Sequence, residues 1–357
     1  MNASLENGGP LYKGTGEQQP ETAYEDRSWP PGPPWRTFTA PPVMPPPPED
    51  EDADRRLGPP GSLRRPRPEE VRLVNASLLL RRPLLVTGRP GVGKSGLAYR
   101  IARELRLGRV LHWPVTSRTM LASGLFEYDA IGRAQARAEP DGAAGPAGIG
   151  HYVQLGPLGT ALLPYRLPRV LLIDEIDKCD VDLPHDLLTL FEDARYEIPP
   201  LVRVKQQESA VVVHTDDPGG TAEVVNGVVR AHTFPVIVMT SNGEREFPEA
   251  FMRRCLLLDI PDPDAAALGE LVSAHFGGQL GELQEKLIQD FLRRSEQTGG
   301  LAADQLLNAA HLVTSGRYGP PASEDGSGHA AGEGGGEWEE LLRAIWHPLG
   351  GGGAEPV

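Results

Sequence analysis

Residues 88–95 read Gly-Arg-Pro-Gly-Val-Gly-Lys-Ser, a G-x-x-x-x-G-K-S spacing with a physical purpose. Gly91 and Gly93 let the backbone curl so that successive N–H groups face phosphate oxygens, and a helix opening just afterwards adds its positive end. The backbone of Gly88, Arg89, Pro90, Gly91, Val92, Gly93, Lys94, Ser95 and Gly96 forms this cradle. Lys94 would reach the β- and γ-phosphates of a nucleotide, and Ser95 would offer its hydroxyl to Mg²⁺. A second stretch, Arg-Val-Leu-Leu-Ile-Asp-Glu-Ile-Asp at 169–177, is an apolar run ending in paired carboxylates. Adjacent side chains at a strand end diverge, so Asp174 suits the metal and Glu175 suits the activation of an attacking water. The plain alternatives are a glycine-rich turn and two exposed acids. A third stretch, Met-Thr-Ser-Asn at 239–242, delivers Asn242 to the tip of an apolar run, and Arg253 and Arg254 follow within a dozen residues. If this strand lies between the strands carrying the glycine loop and the acidic pair, Asn242 emerges beside the γ-phosphate. The two arginines lie too far along the chain to reach their own nucleotide easily, and would suit the rim of a subunit facing its neighbour's.

These groups need a scaffold, and the hydrophobic pattern supplies one. A helix over 69–80 leads into the strand Pro-Leu-Leu-Val-Thr-Gly, and the helix after the loop ends at Gly108. Strands follow at Val-Leu-His-Trp-Pro-Val-Thr and 169–174, a helix at 182–196, a hairpin turning at Asn226-Gly227, and strands at 235–240 and 255–260. Strands alternating with helices predict a parallel sheet with helices on both faces, an α/β unit over 69–262. Residues 263–318 read instead as three amphipathic helices, a small all-α domain. Residues 319–357 combine a Gly-rich linker with a short helix at 338–349, whose Trp338, Leu341, Leu342, Ile345 and Trp346 line mostly one stripe. That helix either folds back on its own domain or docks on a partner.

Composition narrows the function classes. The chain has 357 residues, 39% hydrophobic and 24% charged, enough for at least one sizeable core. Its net charge of −14 argues against a broad footprint for DNA or RNA. Ten prolines between residues 30 and 48, then an acidic run, predict a disordered arm over 1–68 that forms no core. Two cysteines, Cys179 and Cys255, exclude a disulfide framework, and neither sits in a zinc-ligand spacing. No signal peptide or membrane span is visible, so a cytoplasmic location without membrane contact is expected. Trp113, Phe126 and Tyr128 could grip a protein substrate or simply fill a core. His112, His151 and His185 read as ordinary, and Cys179 as a buried small residue.

Over about residues 69–318 the sequence resembles the AAA+ ATPases, and within them the MoxR-like branch. Gly88–Ser95 is similar to Walker A, Leu-Leu-Ile-Asp-Glu-Ile-Asp to Walker B, and Thr-Ser-Asn to the sensor 1 strand end. Pro-Glu-Ala-Phe-Met-Arg-Arg-Cys-Leu-Leu-Leu-Asp-Ile resembles the segment ending in the arginine finger. His-Tyr-Val-Gln-Leu-Gly-Pro-Leu-Gly-Thr-Ala-Leu-Leu resembles the MoxR insertion, centred on Gly156, Pro157 and Leu158. The resemblance implies a P-loop AAA+ core followed by a helical lid, ATP and Mg²⁺ as ligands, and catalytic roles for Lys94, Glu175, Asn242 and Arg254. Arg254 is matched to the finger by the family pattern, with Arg253 in reserve. It further implies a homo-oligomeric ring, usually a hexamer, that remodels a protein partner, such as one carrying a von Willebrand factor A domain. Asp304 falls where many members carry the sensor 2 arginine; Arg293, Arg294 or Arg317 could substitute. A nucleotide-controlled interaction module with little turnover is the alternative function.

Overall fold

The computed structural model describes residues 9–59, 66–138, 148–277, 280–298, 300–319 and 334–348. The start of the proline-rich arm and the glycine-rich linker at 320–333 lie outside the described residues. Helix α1 (Pro68–Leu80) opens with Pro at its first turn and two acidic residues, Glu69 and Glu70, where the positive helix end favours them. It leads into β1 (Leu84–Thr87), the glycine loop, α2 (Gly96–Glu104) and β2 (Leu111–Pro114). Two three-residue strands follow, β3 (Phe126–Tyr128) and β4 (Val153–Leu155), and then β5 (Val170–Asp174) and α3 (Asp182–Asp193). Strands β6 (Arg195–Glu197), β7 (Ala210–His214), β8 (Thr221–Val225) and β9 (Val228–Arg230) precede β10 (Val236–Ser241). The single turn α4 (Glu249–Met252) enters β11 (Leu256–Asp259).

Five of these strands form a parallel sheet in the order β11-β1-β10-β5-β2. Every residue of β10 is buried, as expected of a central strand covered on both faces. Alternation along the strands sorts the core into two layers. Leu84, Val86, Val170, Leu172 and Val238 pack against Val74 and Leu78 of α1 and Leu97 and Ile101 of α2. Leu85, Leu171, Ile173 and Met239 pack on the opposite face against Leu187 and Phe191 of α3.

The predicted hairpin forms, with Asn226 and Gly227 at φ 55° and 70° closing β8 onto β9. It belongs to a second sheet, however, ordered β3-β4-β7-β8-β9-β6, which the sequence reading did not separate from the first. The burial patterns give the reason: β7 and β8 alternate buried and exposed residues, the signature of a sheet with one wet face. A buried ion pair ties this second sheet to the first. Arg169, just before β5, meets Asp217 in the β7–β8 turn with Nη1–Oδ2 at 2.6 Å and Nη2–Oδ1 at 2.8 Å.

Of the arm expected over 1–68, residues 9–59 form no core of their own. They contribute no strand and only short helical turns, at Tyr24–Asp26, Pro34–Arg36 and Ala53–Leu57. They nonetheless lie along the α/β unit, anchored by a few side chains. Tyr12 is fully buried and donates its hydroxyl to Glu70 at 2.6 Å, and Gly14 N–H donates to Glu104 at 3.0 Å. Arg27 donates to the Arg106 carbonyl, and Arg36 to that of Phe191. Composition excludes a self-contained core here, but does not prevent the segment from completing another core.

The helical part comprises α5 (Ala265–Phe276), α6 (Glu282–Thr298) and α7 (Ala303–Thr314), as the periodicity predicts. Helix α8 (Gly334–Ile345) folds back on them: Trp338, Leu342 and Trp346 are buried with Phe291 and Leu306. Trp346 Nε1 donates to the Gln305 carbonyl at 3.2 Å, and its ring meets Phe291 edge-on at 5.6 Å.

Candidate functional site

Strand order alone assembles the site. Because β10 lies between β1 and β5, the glycine loop, the Ser241-Asn242 step and the Asp174-Glu175 pair emerge from three neighbouring strand tips at one sheet edge. Gly91 and Gly93 take φ of 77° and 87°, the left-handed region that a side chain would strain. The loop passes into α2 at Ser95, so the first free N–H groups of that helix open onto the loop.

Lys94 is buried and donates to the carbonyls of Gly88 (2.7 Å) and Arg89 (2.8 Å) and to Asn242 Oδ1 (2.6 Å). Burial pushes its ammonium below the ordinary lysine value, although Asp177, Asp174 and Glu175 all act to raise it. Ser95 donates to Asp174 Oδ1 at 2.7 Å. Burial alone would raise Asp174, but hydrogen bonds from His112, Thr240 and Ser95 outweigh it and hold the carboxyl at about 2. The pair therefore offers an ionised carboxylate and a hydroxyl, both hard oxygen donors. Among the described residues no cluster of three or more His, Cys, Asp or Glu could enclose a metal. An ionised carboxylate and a hydroxyl are donors of the kind Mg²⁺ accepts, since it takes one or two protein oxygens beside phosphate and water.

Two residues that the motif reading passed over organise the acidic pair. Thr240, buried on β10, donates to Asp174 Oδ1 at 2.5 Å and accepts the Glu175 N–H at 2.8 Å. Glu175 itself sits at φ 60°, ψ 46°, an uncommon conformation for a residue with a side chain. Its carboxylate lies 2.7 Å from Lys178 Nζ. Asp177, also buried, accepts from the backbone N–H groups of Asn242 (2.8 Å) and Glu244 (3.1 Å), and so fixes the loop that carries Asn242. The signal for both was present in Met-Thr-Ser-Asn and Asp-Glu-Ile-Asp, but only strand adjacency gives it meaning.

The reading of His112 as ordinary is corrected. Pro114 pairs with Asp174 across β2 and β5, and this register brings His112 Nε2 to 3.4 Å from Asp174 Oδ2. His151 instead packs edge-on against Tyr152. Trp113 is buried against Gly124, where a side chain would strike its ring, so it is core. Phe126 and Tyr128 are half-buried on β3, against the same core. Cys179 is buried, its thiol donating to the Ile176 carbonyl.

Arg253 and Arg254 lie before β11, which runs parallel to β1, and so at the opposite edge of the sheet from the glycine loop. A four-residue strand spans ~13 Å, too far for either side chain to return to its own loop. Arg253 pairs with Glu249 at 2.9 Å, and Arg254 Nε with Glu192 Oε1 at 2.8 Å. On the lid side, the start of α7 touches the loop directly: Ala303 N–H donates to the Gly91 carbonyl at 3.3 Å. Asp304, one residue on, is exposed.

No curated protein matches the sequence. Residues 83–255, the span that contains the glycine loop, the acidic pair and Asn242, match the AAA domain of the dynein-related subfamily, and this match supports an AAA+ ATPase.

Proposed function

We propose that the chain is a Mg²⁺-dependent ATP hydrolase that works as a homo-oligomeric ring, a hexamer by family habit, and uses turnover to remodel a protein partner. The observation that carries the proposal is the convergence of Lys94, Asn242, Ser95 and Asp174 within 2.7 Å contacts at neighbouring strand tips. In this reading the loop from Gly88 to Gly96 wraps the phosphates, its backbone N–H groups other than at Pro90 facing them, and Lys94 exchanges its carbonyl partners for β- and γ-phosphate oxygens. Ser95 and Asp174 hold Mg²⁺, which when bound neutralises phosphate charge. Glu175 accepts a proton from the attacking water, and Asn242 orients that water from the other side. Arg254 completes the neighbouring subunit's pocket. Its place at the far edge of the sheet favours action in trans, where such an arginine can contribute ~10³–10⁵ in rate.

The MoxR-like branch and a von Willebrand factor A partner rest on sequence resemblance around Gly156, Pro157 and Leu158, which form the start of a helical turn at Pro157–Ala161. No helix among the described residues is long and apolar enough to cross a membrane. One observation favours the second reading, a nucleotide-controlled interaction module: at Asp304 the lid presents an exposed carboxylate where an arginine would sense the γ-phosphate.

Glu175→Gln decides the enzymatic reading. It should retain ATP binding, lose at least ~10²-fold in turnover and stabilise the oligomer. Wild-type turnover in this variant would remove Glu175 from its role, and absence of ATP binding by the unmodified protein would remove the proposal. Stimulation of hydrolysis by an added partner separates a motor from a switch.

A further inference from the structure

The N-terminal segment reaches the residue proposed above to act on a neighbour. Glu192, at the end of α3, is approached through one oxygen, Oε1, by two arginines: Arg254 Nε at 2.8 Å and Arg36 Nη2 at 3.6 Å. The two differ in freedom. Arg36 is buried, its other terminal nitrogen donating to the Phe191 carbonyl at 2.6 Å and its guanidinium stacked 5.5 Å from the Phe234 ring centre. Arg254 is partly exposed, and among the described residues its guanidinium has one further hydrogen bond, to the Ala250 carbonyl at 3.3 Å. Arg82 stands nearby, donating to the Arg253 carbonyl and adding a third positive charge that acts on Glu192.

We infer that Glu192 is a latch that parks Arg254 within its own subunit, and that Arg36 of the N-terminal segment sets the strength of that latch by competing for the same carboxylate oxygen. This rests on Arg254 acting in trans. A guanidinium held by its own subunit's carboxylate cannot reach the γ-phosphate across an interface. Leaving Glu192 would ordinarily strand a carboxylate. Here Arg36 is already in place to neutralise it, and repulsion among three cations around one anion favours departure of the one that can move. Arg36 cannot move without giving up its carbonyl and ring contacts. Glu192 and Arg36 are thus positioning residues, remote from the phosphates and acting through Arg254. The segment over 9–59 would then adjust turnover without touching nucleotide.

The test measures ATP turnover of the full chain at saturating ATP, with nucleotide affinity measured separately. Glu192→Gln, which keeps the shape and removes the charge, should raise kcat by ~2–5-fold, the range set by an exposed ion pair, with nucleotide affinity unchanged. Arg36→Gln retains a donor for the Phe191 carbonyl but strengthens the latch, and should lower kcat by up to ~5-fold. The double variant should fall close to Glu192→Gln alone, because the carboxylate for which Arg36 and Arg254 compete is gone. Unchanged or lowered kcat in Glu192→Gln, or equal losses from Arg36→Gln with and without Glu192, would overturn the latch. Should Arg36→Gln fail to fold, Glu192→Gln alone decides. Arg254→Ala tests the underlying reading separately. If that variant keeps its turnover, action in trans fails; if it loses turnover while Glu192→Gln is silent, only the latch fails.

Discussion

Replacing Thr240 by Val should separate nucleotide binding from nucleotide turnover. The substitution keeps the volume on a buried strand and removes one hydroxyl that serves two groups, as donor to Asp174 at 2.5 Å and acceptor from the Glu175 N–H at 2.8 Å. The orphaned N–H and the lost charged hydrogen bond together cost about 1–3 kcal/mol, or roughly 3–10 °C in Tm for a domain of this size. The larger effect falls on Glu175. Its φ of 60° is held by that N–H bond, and without it the residue is free to relax to an extended or helical conformation that re-aims the carboxylate. A misplacement of ~1 Å is worth ~10² in rate, so kcat should fall by about that factor. Lys94 bonds to the Gly88 and Arg89 carbonyls and to Asn242, and Ser95 keeps its own bond to Asp174, so nucleotide affinity should stay within ~3-fold of wild type. Thr240→Ser, which restores the hydroxyl, should recover most of both losses. Steady-state hydrolysis, equilibrium nucleotide binding and thermal unfolding on the three proteins suffice. A Val variant that hydrolyses ATP within ~3-fold of wild type would refute the claim that Thr240 sets the geometry of the acidic pair.

Asp217→Asn strips the buried Arg169 guanidinium of its charged partner and should cost about 3–5 kcal/mol, whereas Arg169→Met with Asp217→Leu should regain most of that loss in urea unfolding. Trp346→Ala opens a cavity beside Phe291 and should cost about 3–5 kcal/mol, appearing as faster amide exchange in α7 while the parallel sheet stays protected. Burial pushes the Cys179 thiol up to about 11 and that of Cys255 up to about 12, so both are neutral at pH 8 and should resist iodoacetamide in the native state. Both should label rapidly once urea unfolds the chain; fast labelling of the folded protein would contradict the burial of the two thiols.

The loops proposed to carry the chemistry were legible as connections between strand and helix because each is continuous in the chain. Gly88–Ser95 and Asp174-Glu175 carry their meaning in fixed spacings bounded by apolar strands, and the hypothesis that β10 separates β1 from β5 followed from what Asn242 needed. Groups whose role comes from a neighbouring strand were not legible. His112 looked partnerless because Asp174 lies 62 residues away, and Thr240 looked like strand filler because its two partners are 65 and 66 residues away. The second sheet escaped notice for another reason. Strands β3, β4, β6 and β9 have three residues each, too few to display an alternation. In the N-terminal segment, average composition hides single anchoring residues. Tyr12 and Arg36 are isolated anchors among prolines, and their partners Glu70 and Glu192 lie beyond any local window.

The contact between Gly91 and the start of α7 carries a mechanical consequence. A methyl group on Gly91 would collide with Ala302 at 2.3 Å, so the glycine loop and the start of α7 leave no slack between them. If the proposed nucleotide swells that loop, the helix that begins at Ala303 would have to tilt. The tilt is handed on through Gln305, whose carbonyl grips Trp346 and whose side chain reaches the His347 carbonyl at 3.0 Å. The residues just after α8 would then shift with what the glycines hold.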